Sequence, residues 1–167
     1  MIIRPVKYTD IAQISAIASE LASDDKGMNI SHIDFSNAKK LIANLTEYDH
    51  MLVLETEIPP TEICAVVLLR VDRQIYLRRL AKLEIIVSPK WQGQGMGKVL
   101  MQSALDLAEK ELMMERVEVE VSIENVGALK LCKSAGFKVE GIAKDWAVSD
   151  DGKYLDAYLM AKCKTIK

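Results

Sequence analysis

The chain has 167 residues and a formal net charge of -2, and half of its residues are hydrophobic. These values predict one domain over residues 1–167 with a single core, rather than a disordered chain. The small net charge gives no broad field for nucleic acid or an anionic membrane, so we expect neither as a partner. The longest apolar run, residues 63–69, is far shorter than the roughly 20 residues of a membrane-spanning helix.

The cysteines bear on the redox compartment and on metal binding. Cys64, Cys132 and Cys163 are odd in number and match no metal-ligand spacing. This pattern favours reduced thiols and a cytoplasmic location, and we expect no bound metal. The first residues lack the basic head and apolar core of a secretion signal.

The first third of the chain is predicted as a strand and two helices. Residues 2–8 alternate loosely as a strand, and Thr9 or Asp10 can cap a helix with apolar residues at helical spacing. A weaker helix is predicted over residues 34–47. Its apolar face consists of Ala38, Leu41, Ile42 and Leu45.

Three strands are predicted next. Residues 50–57 and 62–72 form an antiparallel hairpin around a Pro-Pro breaker. A long strand over residues 75–88 follows and ends at Pro89.

The second half alternates helices and strands. Residues 95–112 have the apolar stripe of a helix, and residues 117–121 alternate strictly, which indicates a strand with one buried face. Asn125 can cap a further helix that Gly136 ends. A closing hairpin has strands over residues 137–148 and 153–163. The order βααβββαβαββ predicts an α/β (α+β) fold with a mixed, mainly antiparallel sheet flanked by helices.

A glycine-rich loop separates the predicted strand 75–88 from the helix that follows. Gly93, Gly95 and Gly97 fall within five positions, and the unpaired amides and dipole of a helix N-terminus favour a phosphate there. An ordinary tight turn is the alternative, but it requires fewer glycines.

Two nucleotide-binding motifs compete for this loop. A P-loop is excluded because Gln92 replaces its first glycine and Val99 replaces its magnesium-binding Ser or Thr. A dinucleotide-binding fingerprint gains support from Glu118 and Glu120, which lie about 20 residues further on, where an acid would bind ribose. The glycine spacing and the late position in the chain count against it.

Two blocks of sequence carry a resemblance to a known family. Val87-Ser88-Pro89 followed by Gln92-Gly93-Gln94-Gly95-Met96-Gly97 fits the pattern Val-x-Pro, then Arg/Gln-x-x-Gly-x-Gly/Ala. Residues 125–137 fit Asn-x-x-Ala, an aliphatic pair and a final Gly-Phe. The opening residues 3–5 and the closing strand over residues 152–160 agree as well. The chain thus resembles the GNAT superfamily of acyl-CoA-dependent N-acetyltransferases over nearly its whole length.

The resemblance implies a GNAT-like sheet with acetyl-CoA bound at the glycine loop. The strands that carry Val87 and Val121 would splay apart around the thioester. Backbone of Ile86, Val87 and Ser88 would pair with the pantetheine arm as an added strand does. Asn125 would contact the cofactor, or would only cap its helix. The pyrophosphate would bind to backbone amides of Gln92, Gly93, Gln94, Gly95, Met96, Gly97 and Lys98.

Acyl transfer requires a neutral amine and stabilisation of the developing oxyanion. The resemblance makes the Val87 amide the oxyanion donor. Glu84 precedes it on the same strand and is the best candidate for the base, through water; the alternative is a solvated residue paired with Lys82. Family members tend to place this glutamate earlier, where this chain has Ala81 and Lys82.

A third requirement is a proton for the departing thiolate. Cys132 occupies the position where many family members have the tyrosine that protonates the CoA sulfur, and a thiol is a weaker donor than a phenol. The alternative is that Cys132 is a small buried apolar residue. Tyr154 or Tyr158, in the last strand, would then supply the hydroxyl.

The predicted function is transfer of an acetyl group to a primary amine of a small molecule, or to a peptide or protein N-terminus, by direct attack in a ternary complex. A module that binds or senses acyl-CoA without turnover is the alternative. The expected assembly is a homodimer. The sequence leaves the acceptor and the acyl-chain preference open.

Overall fold

A computed structural model describes residues 1–24, 35–74, 79–149 and 152–164. These residues include four α-helices and seven strands. The helices are α1 Ile11–Asp24, α2 Ala38–Ala43, α3 Met96–Asp106 and α4 Val126–Ser134. The strands are β1 Ile2–Pro5, β2 Asp49–Glu55, β3 Ile63–Val71, β4 Leu80–Val87, β5 Arg116–Ser122, β6 Lys138–Val148 and β7 Tyr154–Cys163. This chain order confirms the predicted βααβββαβαββ.

The strands form one sheet in the spatial order β1-β2-β3-β4-β5-β7-β6. Neighbouring strands are antiparallel except β4 and β5, which are parallel. The parallel pair needs a crossover, and α3 provides it on one face of the sheet. The predicted mixed, mainly antiparallel sheet is therefore confirmed.

The first strand ends earlier than predicted, at Pro5, because Tyr8–Asp10 form a 3-10 turn that continues directly into α1. Asp10 is therefore not the cap of α1. Its carboxylate accepts a hydrogen bond from the backbone N–H of Lys7 (2.7 Å) and stabilises the 3-10 turn instead.

A buried ion cluster fastens this turn to the sheet. Arg4 donates to both carboxylate oxygens of Asp10, at 2.7 and 3.0 Å, and to the carboxylate of Glu55 on β2. Burial alone would raise the pKa of Asp10, but the hydrogen bonds from Arg4 and from the Lys7 backbone outweigh it and hold that pKa below its usual value. The hydrogen bond from Arg4 likewise lowers the pKa of Glu55.

Other boundaries also shift. Helix α2 is shorter than the predicted 34–47, and Asn37 begins it by accepting a hydrogen bond from the Lys40 N–H (3.1 Å). Strand β4 begins at Leu80; residues 75–78 of its predicted range lie outside the described residues. The predicted helix over 95–112 continues past α3 as a π-helical turn at Leu107–Glu111.

Each face of the sheet carries its own hydrophobic core. The α3 face packs against α3 and α4 through residues that include Leu100, Met101, Leu105, Cys132 and Phe137. The α1 face packs against α1 and α2 through residues that include Ile14, Ile17, Leu21, Phe35 and Ala38.

The alternation of side chains decides which groups of β4 and β5 share a face. Leu83 packs in the core of the α3 face and Ile86 in that of the α1 face, so Glu84 projects to the α1 face. On β5, Val119 belongs to the α3 face, so Glu120 projects to the α1 face. Two carboxylates thus lie on the same side of the sheet.

Candidate active site

Strands β4 and β5 separate halfway along their length. They pair from Leu80 with Arg116 to Lys82 with Glu118, and the register ends there. Beyond that point the sheet opens into a cleft of about 540 Å³. The separation of the strands that carry Val87 and Val121, which the family resemblance implies, is present.

The edge of β4 in this cleft has unpaired backbone groups. The Ser88 N–H donates to the Cys64 carbonyl of β3 (2.9 Å), and Ile86 lies opposite Val66. Because peptide groups alternate along a strand, the N–H of Val87 points away from β3 and into the cleft. The Val87 carbonyl accepts from the Gln92 side chain (3.1 Å), while its N–H remains available to a ligand.

The first two glycines of the loop keep its surface open. Gly93 and Gly95 have φ of 71° and 84°, in the left-handed region, and a Cβ at either would meet no atom within 4 Å. Gly95 begins α3, whose first helical bond runs from the Val99 N–H to the Gly95 carbonyl (3.1 Å). The amides of the first turn therefore have no helical acceptor and suit an anion.

Gly97 has a different role. A Cβ there would lie 3.2 Å from Val87 Cγ2 and 3.2 Å from Leu131 Cδ2. This glycine therefore allows α3 to pack closely on β4 and α4 beside the unpaired Val87 amide.

The candidate base, Glu84, lines the cleft. Its carboxylate is paired with Arg70 at 3.2 Å, and Arg70 lies 3.7 Å from Asp49. The expected partner, Lys82, instead lies 3.8 Å from Glu120. The Glu84 side chain keeps 23% of its surface exposed, while its Oε2 atom is buried.

Comparison with known protein families identifies the family of this chain. The model of the Acetyltransferase (GNAT) family matches residues 18–137, well over half of the chain. The chain belongs to this family. Members use acetyl-CoA as co-substrate.

Two curated relatives of this GNAT protein are acetyltransferases with different acceptors. The L-amino acid N-acetyltransferase AaaT of Escherichia coli is 35% identical over 98 residues, 58% of this chain and 60% of the relative. The spermidine N(1)-acetyltransferase of Vibrio cholerae is 31% identical over 86 residues, 51% of this chain and 49% of the relative. The match thus spans only about half to three fifths of the length of these relatives.

Solved structures show the same fold. A ribosomal-protein-alanine N-acetyltransferase from Brucella melitensis has a TM-score of 0.82 at 20% identity, covering 98% of this chain and 100% of that one. The spermidine N-acetyltransferase from Vibrio cholerae, in complex with CoA and spermine, has a TM-score of 0.78 at 21% identity, covering 98% and 95%.

Most of the predicted site residues of this GNAT protein line the one cleft. Ten of them do so, including Glu84, Val87, Cys132 and most of the glycine loop. Asn125 is among them, and its side chain caps α4 by accepting from the Ala128 N–H (3.0 Å). The capping role is confirmed, and the contact with the cofactor stays a prediction. Four predicted residues are outside the lining: Ile86, Ser88, Gln94 and Tyr154.

The proton donors are arranged differently from expectation. Cys132 is 2% exposed, and burial raises the pKa of its thiol to about 11. Tyr154 is 66% exposed and pairs with Val148 at the turn end of the last hairpin, and it is not among the residues that line the cleft. Tyr158 packs against the core of the α3 face. Among the described residues that line the cleft, none is a tyrosine.

Sequence reasoning missed two hydrophobic residues of the cleft. Leu21 at the end of α1 and Trp146 on β6 both line it on the α1 face. Glu120 had been considered only as a ribose ligand, yet it lines the same part of the cleft. The signal available in the sequence was the single tryptophan of the last hairpin.

Two features are absent from the described residues, a cluster of metal ligands and a membrane-spanning helix. Among the described residues, no group of three or more His, Cys, Asp or Glu side chains is arranged to hold a metal ion. In the same part of the chain, no helix is long and apolar enough to cross a membrane.

Proposed function

We propose that this protein transfers an acetyl group from acetyl-CoA to a primary amine, by direct attack in a ternary complex. The observation that carries the proposal is the opened edge of β4 beside the N-terminus of α3. It places the unpaired Val87 amide and the glycine-loop amides along a single cleft.

The residues present suit acetyl-CoA, which supplies the acetyl group as a thioester. Amides from Gln92 to Lys98 would hold its pyrophosphate, because Gly93 and Gly95 leave the backbone open to close approach. The unpaired edge of β4 at Val87 would pair with the pantetheine arm, as an extended ligand pairs with a sheet edge. Ile86 and Ser88 direct their own amides to β3, so they would shape this contact without donating to it.

Two groups of the chain would act on the reacting atoms. The Val87 N–H would donate to the acetyl oxygen as negative charge develops on it. Glu84 would accept the proton of the amine through water, and its ion pair with Arg70 holds the carboxylate on the α1 face. Burial raises the pKa of Cys132 to about 11, which disfavours a thiolate nucleophile there and is consistent with direct attack by the amine.

The acceptor belongs to the class of primary amines. The names of the two curated relatives specify an amino acid and spermidine as acceptors, both of which carry such an amine. We further propose that residues 1–167 act as one domain in the cytoplasm, since the three cysteines are free. A homodimer stays a prediction.

One observation favours a second candidate function. The absence of a tyrosine among the described lining residues, with Cys132 in its place, suits a module that binds acyl-CoA without turnover. Both candidates bind CoA, so only turnover separates them.

Release of free thiol from acetyl-CoA in the presence of single amines tests the proposal. We expect thiol release with at least one amine and a rise in the melting temperature with CoA that exceeds the rise with NAD. Stabilisation by CoA without turnover on any amine would favour the sensing module. An equal response to NAD would overturn the proposed use of CoA.

A further inference from the structure

A bulge in β6 lies next to the cleft. Ala143 pairs with Ala157 and Ala147 with Leu155, so three residues of β6, Lys144 to Trp146, stand against Asp156 alone. Such bulges bend a strand and redirect a side chain, and they are common next to active sites.

The bulge holds an unfavourable backbone conformation. Asp145 has φ of 50°, which is uncommon for a residue with a side chain. Asp156 stabilises it by accepting from the Asp145 N–H (3.0 Å) and from Lys144 Nζ (2.6 Å). One carboxylate therefore fixes the segment that carries Trp146.

The bulge directs Trp146 toward β5. Its indole Nε1–H donates to Glu120 Oε2 at 2.7 Å, across the intervening strand β7. Both residues line the cleft, together with Leu21 of α1. The indole hydrogen bond fixes the carboxylate and the aromatic ring relative to each other.

Glu120 is the more accessible of the two carboxylates that line the cleft on this side. The Glu84 carboxylate is paired with Arg70 at 3.2 Å, whereas the Glu120 carboxylate lies 3.8 Å from Lys82. The exposed fraction of the side chain is 41% for Glu120 and 59% for Lys82. Trp146 occupies Oε2 of Glu120, so Oε1, which faces the exposed Lys82, can exchange this partner for another cation.

We propose that Glu120 and Trp146 form the acceptor subsite and select a primary ammonium attached to an apolar or aromatic group. The ammonium binds the Glu120 carboxylate, and the apolar group packs on the indole and Leu21. Arg70 and Lys82 lie on the same side but are each paired with a carboxylate, so selection rests on the apolar contact, which a dication such as 1,4-diaminobutane makes less well. This inference rests on the proposed function, in which Glu84 then takes the proton.

Glu120→Gln and Trp146→Leu test the subsite, with L-phenylalaninamide as probe and 1,4-diaminobutane as the dicationic comparison. Glu118→Gln is the matched control, since Glu118 lies two residues earlier on the same face, is paired with Arg116 at 2.7 Å and is outside the lining. Two readouts are needed: calorimetric binding of each amine to the CoA-loaded protein, and KM values for amine and acetyl-CoA. Circular dichroism checks that each variant is folded.

We expect Glu120→Gln to weaken phenylalaninamide binding and raise its KM about tenfold or more, the size of one lost charged hydrogen bond. Trp146→Leu should act in the same direction. The KM for acetyl-CoA should stay within about twofold in both, and Glu118→Gln should stay within about twofold for both substrates, as surface ion pairs contribute little.

The two proposals fail in different ways. Acetylation of phenylalaninamide with equal efficiency by wild type and Glu120→Gln would overturn the subsite and leave the acetyltransferase proposal standing. Amine binding that depends on Glu120, without thiol release, would support the subsite and contradict the proposed catalysis. Tighter binding of 1,4-diaminobutane than of phenylalaninamide, or no binding of either, would overturn the subsite.

Discussion

Replacement of Gly95 by valine separates ligand binding from backbone strain. Gly95 begins α3 with φ of 84°, and a side chain there would project into open space at the proposed pyrophosphate site. Gly152 provides the control, because it has φ of 81°, has equally open surroundings and lies in the turn before β7. Gly152→Val therefore imposes a similar strain at a position outside the cleft lining.

The expected magnitudes differ between strain and binding. Left-handed backbone costs a residue with a side chain about 1–2 kcal/mol, so both variants should melt roughly 3–6 °C lower, at about 3 °C per kcal/mol for a chain of this length. CoA at about 100 times its Kd should stabilise wild type by about 2.7 kcal/mol, or roughly 8 °C. A hundredfold loss of affinity would leave about 0.4 kcal/mol, or roughly 1 °C.

Thermal unfolding of the three proteins with and without CoA measures both effects. We expect Gly152→Val to keep the full CoA-dependent shift and Gly95→Val to lose nearly all of it. If folded Gly95→Val keeps the shift of wild type, the glycine loop does not hold the pyrophosphate. Loss of the shift in Gly152→Val as well would attribute the effect to general destabilisation.

Three further substitutions have distinct outcomes. Cys132→Ala should lower kcat/KM by less than about tenfold and the free energy of unfolding by about 1 kcal/mol. A hundredfold loss of turnover with intact CoA binding would show that the thiol takes part in the chemistry. Glu84→Gln should lower kcat/KM about a hundredfold while the CoA-dependent melting shift persists; unchanged turnover would exclude it as base. Arg4→Met should lower the free energy of unfolding at pH 7 by roughly 2 kcal/mol in urea titrations. Arg4 lowers the folded-state pKa of Asp10 and Glu55, so their contribution to stability is complete above the ordinary values of 3.8 and 4.5 and is lost as the pH falls through the lowered values. The difference in unfolding free energy between variant and wild type should therefore shrink in acid. A difference that stays constant with pH would contradict this.

Local patterns were sufficient to predict the order of elements and the open glycine loop between β4 and α3. Helical periodicity, strand alternation and capping residues act within a few positions, and Asn125 caps α4 as its sequence predicts. The glycine loop was recognisable because Gly93 and Gly95 require left-handed backbone that other residues adopt with strain. The predicted one-domain boundary and the assembly, by contrast, have no local signal of this kind.

Positions that depend on distant partners were not predictable. Asp10 could cap α1 by its local sequence, but Arg4 and the Lys7 amide engage its carboxylate first. Tyr154 and Cys132 both follow the glycine loop in sequence, yet only Cys132 lines the cleft, since Tyr154 begins β7 beside the turn of the last hairpin. The position of the last hairpin relative to the glycine loop depends on the register of β7 with β5. This register joins residues far apart in the chain, so no short stretch of sequence predicts it.

The two glutamates of β5 show the same limit most clearly. Strict alternation puts Glu118 and Glu120 on one face, and the sequence offers no reason to prefer either. The pairing of β4 with β5 ends at Lys82 and Glu118, so Glu118 lies in the paired stretch while Glu120 is the first residue of the same face beyond it. The bulge in β6 then brings Trp146 to Glu120. The point at which two strands separate thus determines which of two chemically identical side chains faces the cleft, and our subsite proposal depends on that difference.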